Sequence, residues 1–172
     1  MPRSTDKRSE GQPVTFDHSR PARVAHEELR YLLLAAQREG SRRLGESLRH
    51  LGLTPAQAEV LDVLAGHQPV TLAALGRLLV CEQGSPSRLV DSLVQRDLVS
   101  RVPHEQDKRA VLIELTDAGR SLAAQLGEAT GRLTAEMAGR LSAADIGTLT
   151  GLLHTLLEGT DVAQAIRSRF PR

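Results

Sequence analysis

Cys81-Glu-Gln-Gly-Ser85-Pro-Ser-Arg-Leu-Val90-Asp-Ser-Leu-Val-Gln95-Arg-Asp-Leu-Val-Ser100-Arg-Val-Pro-His-Glu105-Gln-Asp-Lys-Arg-Ala110-Val-Leu-Ile-Glu-Leu115 changes its periodicity midway, and that change decides the fold. In the first part Leu89, Val90, Leu93 and Val94 fall on one helical stripe, leaving Ser85, Ser87, Arg88, Ser92 and Gln95 on the opposite one. From Leu98 the period drops to two. Leu98–Val102 and Val111–Leu115 read as paired strands around a charged tip, His104 to Arg109. A helix followed at once by a hairpin with a basic tip is a winged helix-turn-helix pattern.

The arrangement suits duplex DNA. Short hydroxyls and an arginine near a helix N-terminus reach base edges and phosphates in the major groove. A thin ribbon ending in Lys108 and Arg109 fits a minor groove. The start of the reading helix has two solutions: Ser85 and Pro86 serve as cap and first residue, or the helix begins at Glu82 and Pro86 costs it one backbone hydrogen bond.

Working outward on the N-terminal side, Thr71 caps a short helix through Leu72, Leu75, Leu78 and Leu79, with Arg77 as its main outward charge. This is the first helix of the pair, lying across the phosphate backbone. Before it, Thr54-Pro-Ala-Gln57 starts a helix that runs to about Ala65, with Ala58, Leu61, Leu64 and the flanking Val60 in the core. Gly66-His-Gln-Pro69 ends it. A long helix precedes these, from Pro21 to about His50, its apolar residues recurring at three- and four-residue steps from Leu29 to Leu51. At roughly 45 Å it exceeds what a small domain needs, so part of it is expected to pack on a partner. Residues 1 to 20 mix charges with Ser, Thr, Gly and Pro and read as a flexible arm.

On the C-terminal side, Thr116-Asp-Ala-Gly starts a helix carrying Leu122, Leu126, Leu133 and Met137. Ser142-Ala-Ala-Asp145 caps another through Ile146, Leu149, Leu152, Leu153, Leu156 and Leu157, broken at Gly159, and a last helix covers Asp161 to about Arg169. The expectation is a mainly α fold with a small β-hairpin wing. Residues 53–116 form a winged helix-turn-helix DNA-binding domain, and 21–52 with 117–172 form a helical dimerisation region.

Composition narrows the function classes. A net charge of +1 over 172 residues gives no global drive toward nucleic acid, so affinity must come from where the arginines sit. Phe16, Tyr31 and Phe170 are the whole aromatic supply, and none lies in the reading element, which disfavours single strands held by stacking. One cysteine fits a reducing compartment, and the apolar run Tyr31–Ala36 falls well short of the roughly 20 residues that span a bilayer. A cytoplasmic protein with no membrane partner is expected. The chain carries no P-loop, nucleophile-elbow, zincin or paired C-x-x-C motif, and its six histidines lack ligand spacing. No enzyme activity, metal or cofactor is expected.

From Leu53 to Leu122 the chain resembles the MarR family of bacterial transcription regulators. The resemblance rests on L-T-P-A-Q-A-E-V-L-D-V-L (53–64), T-L-A-A-L-G-R-L-L-V (71–80), S-P-S-R-L-V-D-S-L-V-Q-R-D-L-V-S-R (85–101) and D-K-R-A-V-L-I-E-L-T-D-A-G-R (107–120). It implies a homodimer clasped by its terminal helices, binding a short palindromic operator, usually as a repressor. It also implies release from DNA by a small aromatic or phenolic anion. By position, Ser85, Ser87 and Arg88 would face the major groove, Arg109 the minor groove, and Asp107 would hold the wing through a charge pair. Glu82 stands where a Ser-type cap is usual, Pro86 where a helix-favouring or β-branched residue is, and Asp97 where the turn usually has Gly. These departures bear on operator sequence and affinity more than on fold.

Each sharp reading has a bland competitor. Lys108 and Arg109 are a solvated hairpin tip or a DNA contact, and their place in the ordered block favours contact. Arg88 either meets DNA or pairs with Asp91 three residues on. Arg77 and Gln83 are further DNA-contact candidates. Cys81, a redox sensor on the sharp reading, is better explained as a small buried hydrophobe. The alternative function is a winged-helix interaction protein that regulates through a protein partner, a reading that Glu82 and Pro86 keep open.

Overall fold

The computed structural model describes residues 22–80, 85–104 and 110–171. The chain divides into two compact units, Met1–Arg38 and Glu39–Arg172. Helix α1, Ala22–Leu48, crosses the division. In the first unit its Leu29, Tyr31, Leu32 and Leu34 are all more than half exposed, at 51, 57, 56 and 53%. In the second, Leu48 is fully buried and Leu44 packs against the same core.

The second unit is built around α2, Pro55–His67. Thr54 accepts from the Gln57 N–H, and the Gln57 side chain accepts from the Thr54 N–H, the reciprocal cap expected from the sequence. Val60, Leu61 and Leu64 are completely buried, and α2 is packed by α3 (Leu72–Leu78), α4 (Pro86–Gln95) and α5 (Asp117–Ala138). Into the same core go Leu75 of α3, Val90 and Leu93 of α4, Ile113 and Leu115 of the sheet, and Leu126 of α5. Alternation of one face per element is what lets these short pieces share a single core.

The sheet holds three antiparallel strands rather than the expected two, in the order β1-β3-β2: β1 Val70–Thr71, β2 Val99–Pro103 and β3 Val111–Leu115. Two residues at β1 are too few for a period, and Thr71 doubles as the cap of α3 by accepting from the Ala74 N–H. The hairpin register pairs Val99 with Leu115 and Pro103 with Val111. Leu98, expected in the strand, belongs to the turn: its N–H donates to Leu93 and its carbonyl accepts from Thr116.

Other boundaries shift by a turn or less. The long helix gives way at Leu48 to a 3-10 turn, Arg49–Leu51, closed by Gly52 at φ 62°. Helix α2 continues two residues past Ala65 to His67. Beyond the wing, Thr116 accepts from the Gly119 N–H to start α5, and Ser142 with Asp145 forms a second reciprocal cap on α6, Ala143–Leu156. Gly159 at φ 81° breaks the chain before α7, Asp161–Arg169. Helix α6 buries none of its residues. Among the described residues no helix is long and apolar enough to cross a membrane.

Candidate nucleic-acid interface

The first turn of α4 is where the sequence places the reading residues. Ser85 is the N-cap in backbone geometry, φ −65° and ψ 131°, and Pro86 takes the first helical position, where its missing N–H costs nothing. Of the two starts the sequence leaves open, the described helix follows the later one. The Ser85 hydroxyl does not cap; it lies 2.7 Å from the Ser87 hydroxyl, making a paired polar edge on the outer side of the turn. Arg88 follows on an exposed surface. The competing Arg88–Asp91 pair is absent: the Asp91 carboxylate accepts from Arg101 of β2 at 2.6 Å, and Arg88 has no ion pair with a described residue. The three residues of the first turn are brought together with their polar groups outward, next to the partly positive end of a helix.

The same helix is fastened from behind. Val90 and Leu93 are fully buried, and Ser92, which the helical stripe assigns to the outer face, is half-buried against α2. Its hydroxyl accepts from the Gln57 amide at 3.0 Å and donates to the Leu89 carbonyl, because the neighbouring α2 covers that side. At the far end Asp97 turns the chain at φ 55°, so aspartate takes the left-handed conformation where glycine is usual. The Thr116 hydroxyl donates to the Asp97 carbonyl at 2.7 Å, and Arg96 donates to the Gly52 carbonyl at 3.0 Å. Helix α4, the hairpin and α5 are thereby tied at one corner.

Gly119 explains the Leu-Thr-x-x-Gly part of the motif. A Cβ added there would stand 1.9 Å from the Leu98 carbonyl oxygen, so only glycine lets α5 start this close to the turn. Arg77 is exposed on the last turn of α3, at the edge of a cavity of about 380 Å³ shared with Val80 and Asp161. Cys81, Gln83, Asp107, Lys108 and Arg109 lie outside the described residues. Sequence reasoning missed Asp91–Arg101 and Gln57–Ser92, since each pair joins different elements and leaves no periodic signal.

A winged helix DNA-binding domain family matches residues 53–119. The multiple antibiotic resistance protein MarR of Escherichia coli K12 is 32% identical over 127 residues, covering 73% of this chain and 88% of that protein. The chain belongs to the MarR family. These are transcription regulators and not enzymes, and this MarR-family chain carries their DNA-binding winged helix. It is also 29% identical over 143 residues to the organic hydroperoxide resistance transcriptional regulator of Bacillus subtilis 168, covering 83% of this chain and 93% of that protein. Among solved structures, a cysteine-to-serine mutant of E. coli MarR complexed with operator DNA aligns at TM-score 0.67 and 32% identity, over 76% of this chain and 94% of that one. The Staphylococcus aureus MepR–DNA complex aligns at TM-score 0.68 and 22% identity, over 74% of this chain and 94% of that one, and shares the fold.

Proposed function

We propose that this MarR-family regulator acts in the cytoplasm as a homodimeric repressor of a palindromic duplex operator. The observation that carries the reading is the first turn of α4, where Ser85, Ser87 and an Arg88 without an ion pair to any described residue form an exposed polar edge on a helix buried from behind. Those three residues contact the major groove, with Arg77 and Gln83 as further DNA contacts. Lys108 and Arg109 form the minor-groove end of the wing, steadied by Asp107. A solved relative in complex with operator DNA supports duplex DNA as the partner.

Two unpartnered apolar surfaces support the homodimer. In one unit Leu29 and Leu32, one turn apart, are exposed on α1. In the other, Ile146, Leu149, Leu152 and Leu156 are exposed on α6 at steps of three and four residues. Exposed apolar faces on amphipathic helices mark surfaces that another chain covers. Residues 21–52 and 117–172 thus serve as the dimerisation region, 53–116 as the reading domain, and 1–20 as an arm. Two copies would set their reading helices roughly 34 Å apart, one turn of the duplex.

Release follows binding of a small aromatic or phenolic anion. A cleft of about 450 Å³ offers such a ligand the Arg167 guanidinium and the Phe170 ring, with His154 and the carboxylate of Glu158 also on its wall. The alternative reading, regulation through a protein partner, drew on Glu82 and Pro86. With Pro86 at a harmless first helical position, one of its two grounds is gone.

Selecting bound fragments from the source genome tests the reading. A shared inverted repeat, protected as one block by a dimer, is the expected result. Recovery of no common sequence, with binding insensitive to salt, overturns it.

A further inference from the structure

The last helix ties back to the central helix α2 through its final residue. Helix α7 packs on α3, burying Ala163 and Ala165, whose small side chains allow close approach. Its final residue, Arg169, reaches α2: one guanidinium nitrogen donates to Glu59 Oε1 at 2.8 Å and another to Asp62 Oδ2. The Arg169 and Glu59 side chains are only 15% and 9% exposed. Glu59 Oε1 also accepts the Val80 backbone N–H at 2.7 Å. Val80 lies two residues past the end of α3, and Ser85 at the head of α4 is five residues further on.

We propose that Arg169 is a positioning residue for DNA recognition, acting from the C-terminal helix through Glu59 on the backbone that leads into the reading helix. The inference rests on the assignment of α4 as that helix. The chemistry is simple. A carboxylate at the edge of a core has several rotamers, and a two-pronged guanidinium held between Glu59 and Asp62 selects the one that receives Val80. Without Arg169 the Glu59 carboxylate is set less firmly as the acceptor of the Val80 N–H, and Val80, five residues ahead of Ser85, is less firmly placed. A side chain far along the chain from the reading turn thereby sets how well that turn is preorganised. Because α7 belongs to the region assigned to dimerisation, the same contact joins events there to the reading turn.

The test uses the full chain, amide exchange at Val80 without DNA, and binding of a duplex recovered by genomic selection across a salt series. Arg169→Ala is expected to raise Val80 exchange and weaken duplex binding about tenfold, as for members of one coupled network. The slope of affinity against salt should stay at the wild-type value, because Arg169 touches no phosphate. Arg169→Lys should recover part of both readings. Asp62→Asn, which leaves Glu59 and Val80 paired, should have the smaller effect. Glu59→Gln combined with Arg169→Ala should cost little more than either alone. Should Arg169→Ala fail to fold, Arg169→Lys and Asp62→Asn yield the same measurements in folded protein.

Wild-type exchange and affinity in a folded Arg169→Ala protein would overturn the proposal. So would a loss of affinity accompanied by a salt slope lower by about one, the mark of a direct phosphate contact. If the wild type itself binds no duplex, the assignment of α4 falls and the positioning role with it, while Val80 exchange still shows whether Arg169 holds Glu59.

Discussion

At Gly119 a single hydrogen atom decides whether α5 can begin where it does. The nearest obstacle to a methyl is the Leu98 backbone, which is itself bonded to Thr116 and cannot swing aside like a side chain. Gly119→Ala should therefore destabilise the fold by about 1–3 kcal/mol, as overpacking does. Urea unfolding checks this, and an unchanged midpoint would refute the close approach. Arg88 makes the opposite kind of prediction. Exposed and with no ion pair to a described residue, it should contribute little to stability, yet Arg88→Ala should weaken duplex binding by about 1–3 kcal/mol and relax specificity if it meets a base. Parallel unfolding and binding curves separate the two. Residue types and their order were legible here, because hydroxyls and an arginine before an apolar stripe have few other uses. Partners were not: Asp91 chooses Arg101 over Arg88 because a turn folds β2 against α4, which no helical spacing rule anticipates.

Among the elements, helix ends were the most legible features, since caps are written in adjacent residues. Thr54, Thr71, Thr116, Ser142 and Thr160 all accept from the N–H three residues on. Thr54→Ala should cost about 1 kcal/mol, measured by thermal unfolding, because it removes one half of a reciprocal cap at the start of the central helix. Strand β1 was not legible, as two residues carry no alternation. Acid sensitivity also belongs to this scale. The Arg42 hydrogen bond, followed by that of Arg43, lowers the Glu39 carboxyl to about 2 from an ordinary 4.5. Hydrogen bonds from Ser142 lower Asp145 in the same way at the head of α6. Both groups bind fewer protons folded than unfolded, so their stabilisation is complete above the ordinary carboxylate range. It disappears as pH falls through the folded values, near 2 for Glu39. Glu39→Gln should flatten the pH dependence of the unfolding midpoint between pH 4.5 and about 2, and an unaltered dependence would contradict the pairing.

For the molecule as a whole, the sequence made the reading domain plain because its elements bury one face each within a short stretch of chain. The long-range ties were hidden. Arg169 and Glu59 are separated by 110 positions, and only folding makes them neighbours. The exposed leucines of α6 make the prediction that belongs to this scale. Leu152 is 64% exposed and Leu156 56%, so Leu152→Glu with Leu156→Glu should leave the winged domain folded while shifting sedimentation from dimer to monomer. A protein that is monomeric before the change would refute the clasp. Operator binding is the claim on which the rest turns, and it is tested most directly by titrating the full chain onto a selected duplex over a range of salt. The account predicts tight binding at low salt that falls steeply as salt rises, with Arg88→Ala lowering the slope by about one if Arg88 meets a phosphate. Binding that ignores salt, or an Arg88→Ala protein indistinguishable from wild type in both affinity and slope, would contradict it.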